Sequence, residues 1–106
     1  MKTRKNKRAI ACHPTPETRQ LVFARDNGKC VMGCGRDGCD FAHYISRAHG
    51  GLGIEQNIVL LCRHCHNEFD QSTKRNEHGS FVKKYLDALY PDFTDDDRVY
   101  KKGGAL

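Results

Sequence analysis

Four cysteines of this 106-residue chain fall into two close pairs. Cys30 and Cys34 end a C-x3-C knuckle, Cys62 and Cys65 end a C-x2-C knuckle, and some 28 residues separate the two. Each pair can set two thiolates on one side of a metal with little chain strain, and two pairs complete the tetrahedron that zinc prefers. Closing such a loop converts metal binding into folding free energy. Cys39 rivals Cys34 for its position, and Cys12 has no partner at metal spacing and reads as a free thiol. The competing reading is reduced cysteines buried as small hydrophobes. His43 and Asn57 lie between the knuckles, and His66 directly follows the second. An imidazole on a strand facing one on a helix can flank a phosphate. One takes a proton from water while the other holds a divalent cation against the phosphate oxygens, as metal-assisted phosphodiester hydrolysis requires. An unperturbed imidazole, with a pKa of about 6.5, supplies a neutral base near neutral pH.

The elements that must hold these groups follow from local patterns. Thr15-Pro16-Glu17 starts a helix, with Thr as N-cap and Pro at the first position. Leu21, Val22, Ala24 and Arg25 continue it, and Asn27-Gly28 stops it. Phe41 to Ser46 reads as a strand that carries His43, and residues 48–56 as a loop with glycines at 50, 51 and 53. Ile58 to Leu61 reads as a second strand leading into the second knuckle, and a helix then carries His66, Glu68, Phe69 and Asp70. Residues 71–79 read as a polar loop. Ser80 caps a last helix over 81–90, whose stripe of Phe81, Val82, Tyr85, Leu86 and Leu89 is expected to pack as core before Pro91 ends it. The chain thus divides into a flexible basic arm (1–13), one domain (14–91) and a poorly ordered tail (92–106).

Composition narrows the function classes. No run approaches the roughly 20 apolar residues of a membrane helix, and the basic start MKTRKNKR is not followed by the apolar core of a secretory signal. A cytoplasmic location is expected, where metal binding by cysteine is favoured over disulfides. The net charge is +5, and five cations, Lys2, Arg4, Lys5, Lys7 and Arg8, lie in the first eight residues. The rest balances at 13 cations against 13 carboxylates. The excess is a basic arm, the type that often touches nucleic acid.

The stretch AHYISRAHGGLGIEQNIVLLCRHCHNEFD, with the first knuckle before it, resembles the HNH endonucleases, whose core is the ββα-metal (His-Me finger) fold. The resemblance implies an α+β fold: a small ββα-metal nuclease core stapled by a four-cysteine zinc site, with flanking helices. It implies a metal-dependent endonuclease that hydrolyses DNA phosphodiester bonds, by nicking or double-strand cutting, and leaves 5′-phosphate and 3′-hydroxyl ends. Residue by residue, His43 is the expected general base, Asn57 holds the hairpin loop and orients His43, and His66 ligates the catalytic cation, Mg²⁺, Mn²⁺ or Ni²⁺. Cys30, Cys34, Cys62 and Cys65 are the expected ligands of a structural zinc. The short chain and its GGLGIEQN loop look most like phage or prophage HNH proteins. That implies phage packaging proteins as partners beside DNA, a monomer or weak dimer, and the host cytoplasm as location. Many members place His or Asp just before the base as a metal ligand, and here that position is Ala42. Asp70, four residues after His66 on one helix face, is the expected replacement, with Asp40 second because strand alternation puts it on the face opposite His43. Arg47, just past the base strand, is expected to clamp the phosphate. The missing ligand favours one alternative: a catalytically weak, zinc-stabilised DNA-binding module of the same fold.

Overall fold

Two helices precede the sheet. The computed structural model describes residues 6–101; Lys2, Arg4 and Lys5 of the expected DNA-binding arm lie outside them. Helix α1 spans Lys7–Cys12 and is capped by Asn6, whose side chain accepts from the Ala9 amide at 2.7 Å. The arm expected to be flexible as far as residue 13 is therefore folded from residue 7, and Cys12 is buried. Helix α2 spans Pro16–Arg25. As its sequence predicts, Thr15 caps it with a side-chain bond to the Thr18 amide at 3.1 Å. Asn27 and Gly28, both at positive φ (57° and 65°), turn the chain out of the helix.

The sheet has two antiparallel strands, β1 (Asp40–His43) and β2 (Ile58–Leu61), with Asp40 opposite Leu61 and His43 opposite Ile58. All four β2 residues are buried, because helices cover both faces of the strand. Ile58 and Leu60 pack on Val22 of α2 with Phe41 beside them. Val59 and Leu61, with Ala42 of β1, face Phe69, Val82 and Leu86 from the C-terminal helices. The strand expected to reach Ser46 stops at His43, beyond which the chain becomes a loop held by side-chain bonds. The knuckle at 30–34 caps the other end of the hairpin, its Val31 amide donating to the Leu60 carbonyl at 3.0 Å. Buried Asp26 ties the layers together. Its carboxylate takes a two-pronged Arg25 pair, the Leu60 amide and the Tyr85 hydroxyl, linking α2 and the sheet to the last helix.

Helix α3 spans Arg63–Asp70 and helix α4 spans Ser72–Leu89. The segment 71–79, expected as a loop, is helical except for Gln71. It contains no proline, and its one breaker, Gly79, lies where α4 passes Phe69 of α3. Of the expected apolar stripe, Val82 and Leu86 are fully buried and Tyr85 partly, whereas Phe81 and Leu89 are 45% and 43% exposed. Starting the helix at residue 72 does not alter this facing; the sheet covers only one narrow side of α4.

The tail expected to be poorly ordered from residue 92 instead folds back through a 3₁₀ turn, Asp95–Arg98, with a Thr94 capping box. Arg98 is fully buried. Its guanidinium donates to the Gln56 carbonyl (2.7 Å), Asp95 (2.8 Å) and Asp87 (3.2 Å), and it stacks over Tyr44. A charge this deep is tolerated because its donors are satisfied and paired. Gly51 bridges to Val99, and the Tyr100 amide donates to the Gly50 carbonyl at 2.7 Å, so the tail closes over the hairpin loop. No helix among the described residues is long and apolar enough to cross a membrane. The fold is small α+β with a cysteine cluster beside the hairpin, as the sequence predicts.

Candidate active site and cysteine centre

The sulfur atoms of Cys30, Cys34, Cys62 and Cys65 all lie within 4.8 Å of one another, and those of Cys34 and Cys62 are 3.7 Å apart. A tetrahedral zinc with Zn–S bonds of about 2.3 Å needs sulfurs about 3.8 Å apart. Among the described residues this is the only group of three or more His, Cys, Asp or Glu side chains so gathered. Cys39 is exposed and outside it, so Cys34 holds the fourth position. Local geometry builds the site. Gly33 and Gly35 adopt positive φ (76° and 85°) to turn the first knuckle, and Cys62 is the N-cap of α3, its sulfur accepting from the Cys65 amide at 3.3 Å. Burial pushes the Cys62 thiol up, but the Cys65 amide and the neighbouring thiols outweigh it and bring the pKa down to about 6. Burial pushes Cys30 and Cys65 up. Four thiols this close cannot all ionise unaided; a bound dication lets them do so. The donor set fits a structural zinc.

Asn57, fully buried between the two strands, holds the hairpin loop. Its Oδ1 accepts from the Ile45 amide at 2.9 Å, and its Nδ2 donates to the carbonyls of Ile45 (3.1 Å) and Leu52 (2.8 Å). Gly51 lets the chain pass there: a Cβ would sit 1.6 Å from the Ile45 oxygen. His43, at the end of β1, is half-buried, and its Nε2 meets the Cys12 carbonyl at 2.8 Å. Burial lowers its pKa below the ordinary imidazole value. The Cys12 carbonyl opposes that effect, and the charges of Arg47, His13 and His66 add to it.

His66, on the first turns of α3, stands between two carboxylates. Its Nδ1 is 2.8 Å from Asp40 and its Nε2 is 3.6 Å from Asp70. Asp40 is gripped by Arg63 through two bonds of 2.7 and 2.9 Å, which hold its carboxyl far below the usual range. It thus stays anionic. Alternation does place Asp40 on the face away from His43, and that is the face α3 covers, so Asp40 rather than Asp70 makes the shorter contact with His66. Ala42, where a ligand was missing, is buried beneath the helices.

An open cleft of about 500 Å³ is lined by His66, Asp40 and Asp70 together with Arg47, Arg63 and His13. His43 is not among its lining residues, though three that are, Arg47, His13 and His66, act electrostatically on its ring. The rings of His43 and His66 are not bonded to each other; each has its own oxygen partner. Arg47 is exposed at the rim, as a phosphate contact needs. Lys7 and Arg8 sit on α1, where Arg8 donates to the carbonyls of Arg47 and Ala48, each at 3.0 Å. Sequence reasoning missed His13 and Arg63 at the cleft. Arg63 was detectable as the first helical residue after the knuckle, whereas nothing local in the sequence brings His13 there.

Residues 30–70 match the family model described as HNH endonuclease. No curated protein and no solved structure matches the chain. The segment matched holds both knuckles, the whole hairpin and α3, so the resemblance seen in the sequence is borne out there.

Proposed function

We propose that the HNH segment makes this chain a metal-dependent endonuclease acting on DNA phosphodiester bonds. The observation that carries the reading is His66 set between two carboxylates in a cleft that Arg47 and Arg63 also line. His43 is the general base: a neutral imidazole that takes a proton from the attacking water. Asn57 keeps the loop beside it in place. Asp40, fixed by Arg63, accepts from His66 Nδ1–H and so leaves the Nε2 lone pair directed to the Asp70 side, a common way to orient a metal-binding imidazole. His66 Nε2 and an Asp70 oxygen would hold the catalytic cation, an N/O donor pair that suits Mg²⁺ or Mn²⁺ with waters and phosphate completing the shell. Bound there, a divalent cation stabilises charge on the phosphate and on the leaving 3′ oxygen. Arg47 steadies the phosphate from the rim. The products are 5′-phosphate and 3′-hydroxyl ends.

A plasmid-nicking assay tests the reading. With Mg²⁺ or Mn²⁺, supercoiled DNA is expected to convert to open circles or linear forms. EDTA should stop this and excess cation restore it. His43→Ala should slow cleavage by at least about 100-fold in a protein that still folds. Retarded but uncut plasmid with Mg²⁺, Mn²⁺ and Ni²⁺ alike would instead assign the chain to DNA binding without catalysis. Ala42, a residue with no donor, is the feature that favours that second reading.

A further inference from the structure

A six-residue helix is a weak element by itself, yet α1 is anchored at three places, two on the hairpin loop and one at the end of β1. Arg8 donates to the Arg47 and Ala48 carbonyls. The Gly53 amide donates to the Ala11 carbonyl at 3.0 Å. The Cys12 carbonyl meets His43 Nε2 at 2.8 Å. A helix leaves its last carbonyls without partners inside the helix. Here two of them are taken, one by the loop backbone and one by the imidazole. Gly53 permits the approach, since a Cβ there would lie 2.5 Å from both the His13 carbonyl carbon and the Pro14 nitrogen.

We infer that α1 is a positioning element of the candidate active site, with the Cys12 backbone carbonyl fixing the orientation and tautomer of His43. A carbonyl oxygen can only accept, so His43 Nε2 carries the proton and donates it. The lone pair is then on Nδ1, and Nδ1 is the nitrogen that acts as base. When Nδ1 takes the proton of water, the ring becomes an imidazolium, and the Nε2–H···O=C bond strengthens with the charge. The carbonyl therefore both aims the ring and favours the protonated product of the base step. The assignment of Nδ1 as catalytic base rests on the nuclease reading; the tautomer itself does not. Thirty-one residues separate the two partners, and Cys12 acts through its main chain, so its thiol is not required.

Imidazole nitrogen shifts of the ¹⁵N-labelled, zinc-loaded full chain test the inference, recorded above the pH at which His43 titrates. The expected result is a single Nε2–H tautomer for His43. Gly53→Ala, which must lift the end of α1, should give a mixture of tautomers and lower kcat about tenfold with little change in KM for DNA. Arg8→Ala removes one anchor without touching the loop backbone and should move both readouts in the same direction, by less. A wild-type His43 protonated on Nδ1, or present as a mixture, overturns the inference, as does a Gly53→Ala protein whose tautomer and kcat match wild type. Should Gly53→Ala fail to fold, the wild-type tautomer and Arg8→Ala still decide. A protein with the Nε2–H tautomer that cuts no DNA keeps the positioning contact and removes the nuclease reading.

Discussion

An imidazole serves as a base only while neutral, so the surroundings of His43 set the acid limit of the proposed reaction. Burial, with the charges of Arg47, His13 and His66, holds its pKa below the ordinary value. Cleavage is therefore expected to persist at mildly acidic pH, with the acid limb of the kcat profile centred below about 6.5. Arg47→Ala removes one of the repelling cations and should move that limb to higher pH; an unmoved limb in a folded variant would exclude His43 as the titrating base. The sign for stability follows from the same shift. With the folded pKa below the unfolded one, the unfolded chain binds the proton more readily, so this contribution is present above about pH 6.5 and is lost as pH falls through the folded pKa. At this scale much was legible beforehand. The sequence picks out His43, Asn57 and His66 by type and order, and Asn57 bonds the hairpin loop at Ile45 and Leu52. Which carboxylate faces which nitrogen of His66 was not legible, because it depends on which face of the hairpin α3 covers.

At the scale of elements, the two strands and α2 follow from local signals: a β-branched run, and a Thr-Pro start with an Asn-Gly stop. Helix α4 does not. Its first half reads as polar loop because only one face of it, near Phe69, packs against anything. Gly79 lies inside that helix, and a methyl added there would meet the Phe69 ring at 3.8 Å, an ordinary contact. Gly79→Ala should therefore stabilise the protein by about 0.5–1 kcal/mol and raise Tm; a lower Tm in thermal melting would mean that α4 is interrupted there. The expected basic arm and loose tail illustrate the same limit. Both are charged, but α1 and the turn at 95–98 fold because Arg8 and Arg98 find carbonyls and carboxylates contributed by the hairpin loop and α4.

The whole molecule has little apolar core on either side of a two-stranded sheet, and domains of this size often need a metal to hold together. The cysteine centre joins the first knuckle to the start of α3, and through α3 it places His66. Cys65→Ser should therefore unfold or severely destabilise the chain, and a zinc chelator should broaden or abolish its melting transition, with loss of one zinc per chain by elemental analysis. A Cys65→Ser protein with wild-type melting would show that the cluster is not the staple. What the sequence determined by itself were features within short covalent reach: the knuckle spacing, the order of His43, Asn57 and His66, and the start and stop of α2. Only the tertiary structure decided that the Cys12 carbonyl meets His43, that Asp40 holds His66, and that Arg98 is buried against the Gln56 carbonyl. Those contacts span 31, 26 and 42 residues. Partners so far apart are chosen by how helices and loops pack on the hairpin, and no local pattern encodes that packing.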